Sequence, residues 1–129
     1  MNIIKFGGTS VANADCISQC IAIIKNKKGS QPLIVVVSAL GGVTDILLSA
    51  ATEASQKKEG YRTLLSNIEG RHIEAIKALL PATGQSAALS HAKRILNHLE
   101  TLLDGCFLLG ELSDQRVEFA GFIKQRKKP

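Results

Sequence analysis

The sequence predicts an α/β domain that begins with a βαβ unit and continues as a helix-rich second half. Two short β-branched apolar segments, residues 2–6 and 33–37, flank a segment whose apolar residues recur three and four positions apart. Two longer helical patterns then occupy residues 61–80 and 86–103. With 129 residues and 45% hydrophobic content, the chain suits one small domain and is too apolar for a disordered one.

The first three elements follow directly from local composition. Residues 2–6 form an apolar run that stops at a glycine pair, which predicts a strand entering a tight loop. From Asp15 to about Lys28 the spacing predicts an amphipathic helix with lysines at its dipole-negative end. Residues 33–37 (LIVVV) are uninterrupted and apolar, as in parallel strands covered on both faces. Together they predict a βαβ unit with a right-handed crossover.

A second helix follows the small-residue loop at residues 38–45. Residues 46–51 (ILLSAA) begin this helix, and Thr44 or Asp45 can cap its N-terminus. Each predicted strand therefore leads into a glycine-rich loop at its carboxyl end.

The two longer helical patterns predict an antiparallel pair, separated by residues 81–84 (PATG). The apolar face expected for the first comprises Leu64, Leu65, Ile68, His72, Ile76 and Leu79. The face expected for the second comprises Leu89, Ile95, Leu96, Leu99 and Leu102. We expect His72 to be partly buried and hydrogen-bonded, because that is the common state of a histidine on an apolar face.

The charge distribution argues against a nucleic-acid partner. Four of the sixteen basic residues lie within residues 124–128, and the other twelve nearly balance eleven acidic ones. Aromatic residues make up only 4% of the chain and Trp is absent, so little is available to stack on bases. We interpret the basic segment as a solvated chain end rather than an RNA-binding tail.

Membrane insertion and secretion are not expected either. No stretch reaches the roughly 18 uncharged apolar residues of a membrane span, and the N-terminus lacks the features of a secretory signal. The chain has three cysteines, an odd and sparse set unlike a disulfide framework. We therefore expect a cytoplasmic protein with reduced thiols. Cys16 and Cys20 lie four residues apart, a spacing that two metal ligands can share. No other Cys or His is nearby in sequence, so we expect no metal site.

The two glycine-rich loops are the candidate functional segments, because open α/β sheets bind ligands at the carboxyl ends of parallel strands. In the first loop Lys5 precedes Gly7 and Gly8, and Thr9 follows, an arrangement suited to cradling a phosphate. The order differs from a Walker A motif, where the lysine follows the glycines. A simple Gly-Gly turn with an exposed lysine is the alternative interpretation.

The second loop carries two hydroxyl groups around a further glycine pair. Ser38 and Thr44 flank Gly41 and Gly42 next to a predicted helix start, where a carboxylate or phosphate can bind. The alternative is that both hydroxyls only cap the helix.

These loops carry a family resemblance. Residues 5–11 (KFGGTSV) resemble the opening signature of aspartokinases, and residues 36–39 (VVSA) with 42–44 (GVT) resemble that family's second motif. The resemblance covers residues 1 to about 114 and includes aspartokinases fused to homoserine dehydrogenase. It implies a partial three-layer αβα sandwich of the amino-acid-kinase type. The implied reaction, in aspartate-family amino-acid biosynthesis, transfers the ATP γ-phosphate to the β-carboxylate of L-aspartate, with Mg²⁺ sharing the phosphate charge.

The resemblance also implies roles for individual residues. By position, Lys5 is the catalytic cation that contacts the transferring phosphoryl group, and residues 7–9 form its backbone and hydroxyl cradle. Ser38 and Thr44 contact the aspartate substrate. No general base is required, since a carboxylate is already ionised at neutral pH.

Other family features are not visible in the sequence. The family's catalytic Gly-Glu motif, substrate arginine and nucleotide pocket are missing, and we interpret Glu111 as an earlier, non-catalytic position. We divide the chain into a βαβ-helix part (1–58), a helical part (59–114) and a divergent basic tail (115–129). We expect a truncated or frameshifted segment that is inactive alone. Its incomplete sheet should leave a valine-rich edge uncovered, which favours marginal stability and self-association or homo-oligomers.

Two alternatives to the aspartokinase interpretation stay open. One is another amino-acid kinase of the same fold, acting on glutamate, carbamate or a nucleoside monophosphate. The other is a non-catalytic fragment that binds a full-length kinase subunit through exposed helices.

Overall fold

A computed structural model describes residues 1–111 of the chain. The described elements, in chain order, are β1 (Asn2–Phe6), α1 (Ala14–Lys27), β2 (Leu33–Val37), α2 (Val43–Ser55), α3 (Gly60–Leu79) and α4 (Ala82–Leu109). The predicted α/β class, with a strand-helix-strand start and a helical second half, is confirmed. Within the described residues, no helix is long and apolar enough to cross a membrane.

The two strands pair in parallel, as predicted. Asn2 lies opposite Leu33 and Phe6 lies opposite Val37, so the strands start and end together. A backbone hydrogen bond of 3.1 Å from Ser38 N to Phe6 O extends the pairing one residue past β2. Both following loops therefore leave the sheet side by side.

One face of β1 packs against α1. The buried side chains there are Phe6, Val11 and Cys20, which we call the sheet core. Ile4 and Ile17 pack against them. Because side chains alternate along a strand, the same pleat turns Lys5 towards the opposite, open face.

The second strand is less covered than its sequence predicts. Ile34 is 43% exposed, Val35 37%, Val36 42% and Val37 61%, so the expectation of a strand buried on both faces is wrong. In the part of the chain that the structure describes, β2 pairs only with β1, and four of its five residues are exposed. The exposed valine-rich strand expected from an incomplete sheet is thereby confirmed.

The start of α2 also differs from the prediction. The helix begins at Val43, and its N-cap is Gly42 with φ of 81°, a left-handed conformation that glycine adopts without steric cost. No side chain caps this end, so neither Thr44 nor Asp45 is the N-cap. By contrast, the Asn13 side chain at the start of α1 accepts a hydrogen bond from Cys16 N at 2.9 Å.

The last helix is longer than the sequence pattern indicates. It begins directly after Pro81, which fits an N-terminal position because proline has no N–H to donate. The Gln85 side chain donates to the carbonyl oxygen of Leu80 at 2.8 Å and so satisfies the end of α3. At the far end, Gly110 terminates α4 with φ of 69°.

Helices α2, α3 and α4 share the larger core. Its buried residues, which we call the helical core, are Ala50, Ala54, Tyr61, Leu65, Leu103 and Cys106. Tyr61 at the start of α3 donates a 2.6 Å hydrogen bond to Asp104 near the end of α4, so the two helices are antiparallel, as predicted. Ile95, expected on the buried face, is 57% exposed.

Candidate functional site

The first loop makes two consecutive tight turns after β1. Ser10 N donates to Gly7 O at 3.0 Å, and Val11 N donates to Gly8 O at 3.3 Å. Val11 is buried and anchors the end of the loop in the sheet core. The Cys20 thiol donates to Ser10 O at 3.1 Å, so α1 also holds this turn in place.

The face of the first loop predicted to hold phosphate is accessible. Lys5 and Thr9 are both exposed. A Cβ built at Gly7 would meet no atom within 4 Å, so the backbone there borders open space. An anion can therefore approach the loop between a lysine ammonium group and the unobstructed backbone.

The second loop packs directly on the first. A Cβ at Gly41 would lie 2.9 Å from Gly8 O, closer than real Cβ atoms come, and 3.1 Å from the Ala12 side chain, which is a tight contact. Val43 N donates to Leu40 O at 2.9 Å and so closes the turn before α2. The absence of a side chain at Gly41 is what lets the two loops touch.

Two hydroxyl groups beside this contact have no hydrogen-bond partner. Ser38 Oγ and Thr44 Oγ1 are buried, and within residues 1–111 neither donates or accepts a hydrogen bond. Thr44 is only 2% exposed. An unsatisfied buried polar group costs about 1–3 kcal/mol. Two such groups at the two ends of one loop therefore need an explanation. Simple helix capping does not supply it, because no side chain caps α2.

Arg71 is a residue at this site that the sequence analysis missed. From α3, its Nη2 donates to Ala12 O at 2.8 Å. Its Nη1 lies 3.8 Å from the position that a Cβ would take at Gly42. The guanidinium group therefore reaches the ends of both loops. In the sequence Arg71 only interrupts an apolar helical pattern, next to His72, and nothing there indicates how far it reaches.

Two open clefts border the loops. One, of about 350 Å³, lies between α1 and α3 and is lined in part by Asp15, Arg71 and Glu74. The other, of about 260 Å³, has Thr9 and Cys16 among its lining residues. Cys16, Cys20 and Cys106 are free thiols, as expected. No group of three or more metal-ligating side chains occurs in the described region.

His72 behaves as the sequence predicts. It is half-buried, and its Nδ1 lies 2.7 Å from Ile68 O one turn earlier on α3. This contact satisfies the ring locally and leaves no indication of a ligand role.

Comparison with known proteins matches most of the chain to one family. Residues 1–107 match the model of the amino acid kinase family. The chain is 39% identical over 99 residues to an aspartokinase of Chlamydia pneumoniae, covering 76% of this chain and 21% of that protein. It is 29% identical over 115 residues to the chloroplastic bifunctional aspartokinase/homoserine dehydrogenase 2 of Arabidopsis thaliana, covering 89% of this chain and 12% of that protein.

A shorter segment of the chain has a higher sequence identity to a third relative. Over 53 residues the chain is 53% identical to an aspartokinase of Rickettsia conorii, covering 40% of this chain and 13% of that protein. In all three cases the chain spans about a fifth or less of the relative's length.

Proposed function

The chain belongs to the amino acid kinase family, and we propose that it forms the aspartate-binding and phosphate-binding part of an aspartokinase. The reaction proposed is transfer of the γ-phosphoryl group of ATP to the β-carboxylate of L-aspartate. One observation carries this proposal: two glycine loops at the carboxyl ends of parallel strands touch at Gly41, and the buried hydroxyls beside the contact have no hydrogen-bond partner among residues 1–111.

The second loop fits the amino-acid substrate. Ser38 Oγ and Thr44 Oγ1 are buried donors without acceptors among the described residues. Thr44 lies in the first turn of α2, where the helix dipole and free backbone N–H groups favour an anion. A carboxylate of aspartate supplies the acceptors that both hydroxyls lack.

The first loop fits the phosphoryl group. Lys5 is exposed on the open face of β1, and the backbone at Gly7 borders open space. Thr9 adds a hydroxyl at the same loop. These groups suit ATP, and Mg²⁺ bound with ATP shares the charge of its phosphates.

The proposed chemistry depends on positioning and charge. The β-carboxylate of aspartate has an ordinary pKa of about 3.9, so at neutral pH it is already the nucleophile and needs no base. Lys5 neutralises charge on the transferring group, residues 7–9 orient it, and Ser38 and Thr44 orient the acceptor. Phosphoryl transfer requires little more from protein side chains than this arrangement.

Titration of the ¹⁵N-labelled chain tests the proposal. We expect L-aspartate to shift the amide signals of Ser38 and Thr44, and ATP with Mg²⁺ to shift those of residues 7–9. Lys5→Met should abolish the second set of shifts, whereas Lys27→Met, an exposed lysine of α1, should leave them unchanged. Equal shifts with L-glutamate would favour another amino-acid kinase of the same fold. Absence of any shift would contradict the assignment of a binding site to this chain.

A second function is favoured by the exposure of β2. Its residues from Ile34 to Val37 are between 37% and 61% exposed, an apolar strand edge that can pair with another chain. A non-catalytic role, binding a full-length kinase subunit, is therefore the alternative. Co-purification with such a subunit, in the absence of any aspartate response, would select it.

A further inference from the structure

Three elements meet where the two glycine loops end. The first loop ends at Ala12, immediately before the N-cap residue of α1. The second ends at Gly42, the N-cap of α2. Gly41 approaches Gly8 O and Ala12 so closely that the loops have no room for a side chain between them. Arg71 on α3 is the residue that reaches across this junction.

The guanidinium group of Arg71 is hydrogen-bonded to the first loop and lies beside the second. Nη2 donates to Ala12 O at 2.8 Å, and Nη1 lies 3.8 Å from the Cβ position of Gly42. Arg71 is half-buried. Asp15 and Glu74 line the same cleft, yet in the part of the chain described neither is within ion-pair distance of it. Its specific polar contact is thus with loop backbone rather than with a carboxylate.

We propose that Arg71 is a positioning residue that fixes the separation of the two glycine loops. This inference rests on the proposed function, in which residues of the first loop bind phosphate and residues of the second loop bind aspartate. The planar guanidinium places Nη2 at Ala12 O in the first loop and Nη1 beside Gly42 in the second, two positions that the single ammonium nitrogen of a lysine cannot occupy together. The separation of the two loops is therefore set from α3.

Hydrogen exchange of the full chain without ligand tests this role. The reporters are the amides of Ser10 and Val11 in the first loop and Val43 in the second, which all form loop hydrogen bonds. Arg71→Met should speed exchange at all three by about tenfold or more, the loss expected for a hydrogen bond from a charged donor. Exchange in the helical core, read at Leu65 and Leu103, should not change.

Two further variants separate positioning from general stability. Lys77→Met removes an exposed positive charge from the same helix and should leave all three reporters unchanged. Arg71→Lys keeps the charge but has one nitrogen where arginine has two, so the hydrogen bond to Ala12 O and the protection of the first loop should return while exchange at Val43 stays fast. Unchanged loop exchange in Arg71→Met, equal losses throughout the helical core, or full protection of Val43 with lysine would each overturn the proposal.

A ligand titration keeps this inference distinct from the proposed function. If the amide signals of wild type shift with L-aspartate and with ATP and Mg²⁺, Arg71→Met should reduce both sets of shifts together. Arg71 is not among the residues proposed to bind either ligand. A wild type that binds neither ligand would contradict the proposed function, and the exchange data would still decide whether Arg71 fixes the loops.

Discussion

Gly41 lies against the carbonyl oxygen of Gly8, at a distance that leaves no space for a Cβ atom. Both partners of this contact are backbone, so neither can move aside by changing a rotamer. The contact joins a loop that follows β1 to a loop that follows β2, and it places the two halves of the candidate site within reach of one another.

Substitution of Gly41 by alanine should therefore separate the loops. We expect Gly41→Ala to lower the free energy of unfolding by about 1–3 kcal/mol, the usual cost of overpacking, and to abolish binding of both ligands. Urea unfolding followed by circular dichroism, together with the amide titration, measures the two effects. Gly29→Ala is the matched control, because a Cβ there meets no atom within 4 Å. Normal ligand binding by Gly41→Ala would contradict the role of the contact.

A glycine elsewhere should give the opposite result. Gly70 lies inside α3, and a Cβ there would also meet nothing within 4 Å. Because alanine loses less conformational entropy than glycine when a helix forms, Gly70→Ala should stabilise the chain by about 0.5–1 kcal/mol. A rise in Tm with unchanged ligand shifts is the expected readout, and a fall in Tm would show a contact that the space around Gly70 does not indicate.

Thr44 should show a trade between stability and binding. Its buried hydroxyl has no hydrogen-bond partner among the described residues, and valine has nearly the same shape without that group. Thr44→Val should therefore leave the ligand-free chain equally stable or more stable by up to about 1 kcal/mol, and it should lose the response to L-aspartate. Ser49→Ala, an exposed position on the same helix, is the control. Destabilisation by valine would show that the hydroxyl is satisfied in the free protein.

The Tyr61–Asp104 hydrogen bond should make stability depend on alkaline pH. Burial is the main cause that raises the pKa of Tyr61 from 10.0 to about 12, and the hydrogen bond to the Asp104 carboxylate is the next. Below pH 10 the hydroxyl is protonated in folded and unfolded chains, so its contribution is complete. Between pH 10 and about 12 the unfolded chain releases a proton that the folded chain retains, and stability falls.

Tyr61→Phe isolates this effect. Loss of the hydroxyl should cost about 1 kcal/mol at neutral pH, the typical net value of one hydrogen bond. The difference in unfolding free energy between wild type and Tyr61→Phe should shrink as pH rises through this range. A difference that stays constant from pH 9 to 12 would contradict the raised pKa.

Exposure of β2 predicts association between copies of the chain. Ile34→Lys places a charge on the exposed strand, opposite Ile3, and should shift the chain towards monomer. Light scattering after size exclusion measures the mass over a range of concentrations. Lys25→Glu on α1 is a charge-changing control that should leave association unchanged. A wild type that is monomeric at every concentration would contradict the prediction.

Local sequence determines some of this fold and not the rest. The bounds of β1 and β2 follow from short apolar runs ended by glycine or preceded by proline, which act within a few residues. The burial of β2 does not follow from its local sequence, because it depends on which neighbouring elements cover the sheet. The reach of Arg71 to Ala12 depends on how α3 packs against α1, a contact 59 residues apart in sequence. The start of α2 depends on Gly42, which is in a left-handed conformation. The sequence instead suggested Thr44 or Asp45 as the N-cap, because their side chains are common at that position.

The sheet core and the helical core have no residue in common. The candidate site lies between them, since Val11 at the end of the first loop belongs to the sheet core, and Thr44 lies in the first turn of the helix that supplies Ala50 to the helical core. We therefore expect that each core can open by itself, and that such opening takes the site apart. A ligand that requires both loops favours only the state in which both units are closed. At a hundredfold excess over Kd it adds about 2.7 kcal/mol to that state, so we expect ligand to bring unfolding of the two cores closer to a single step.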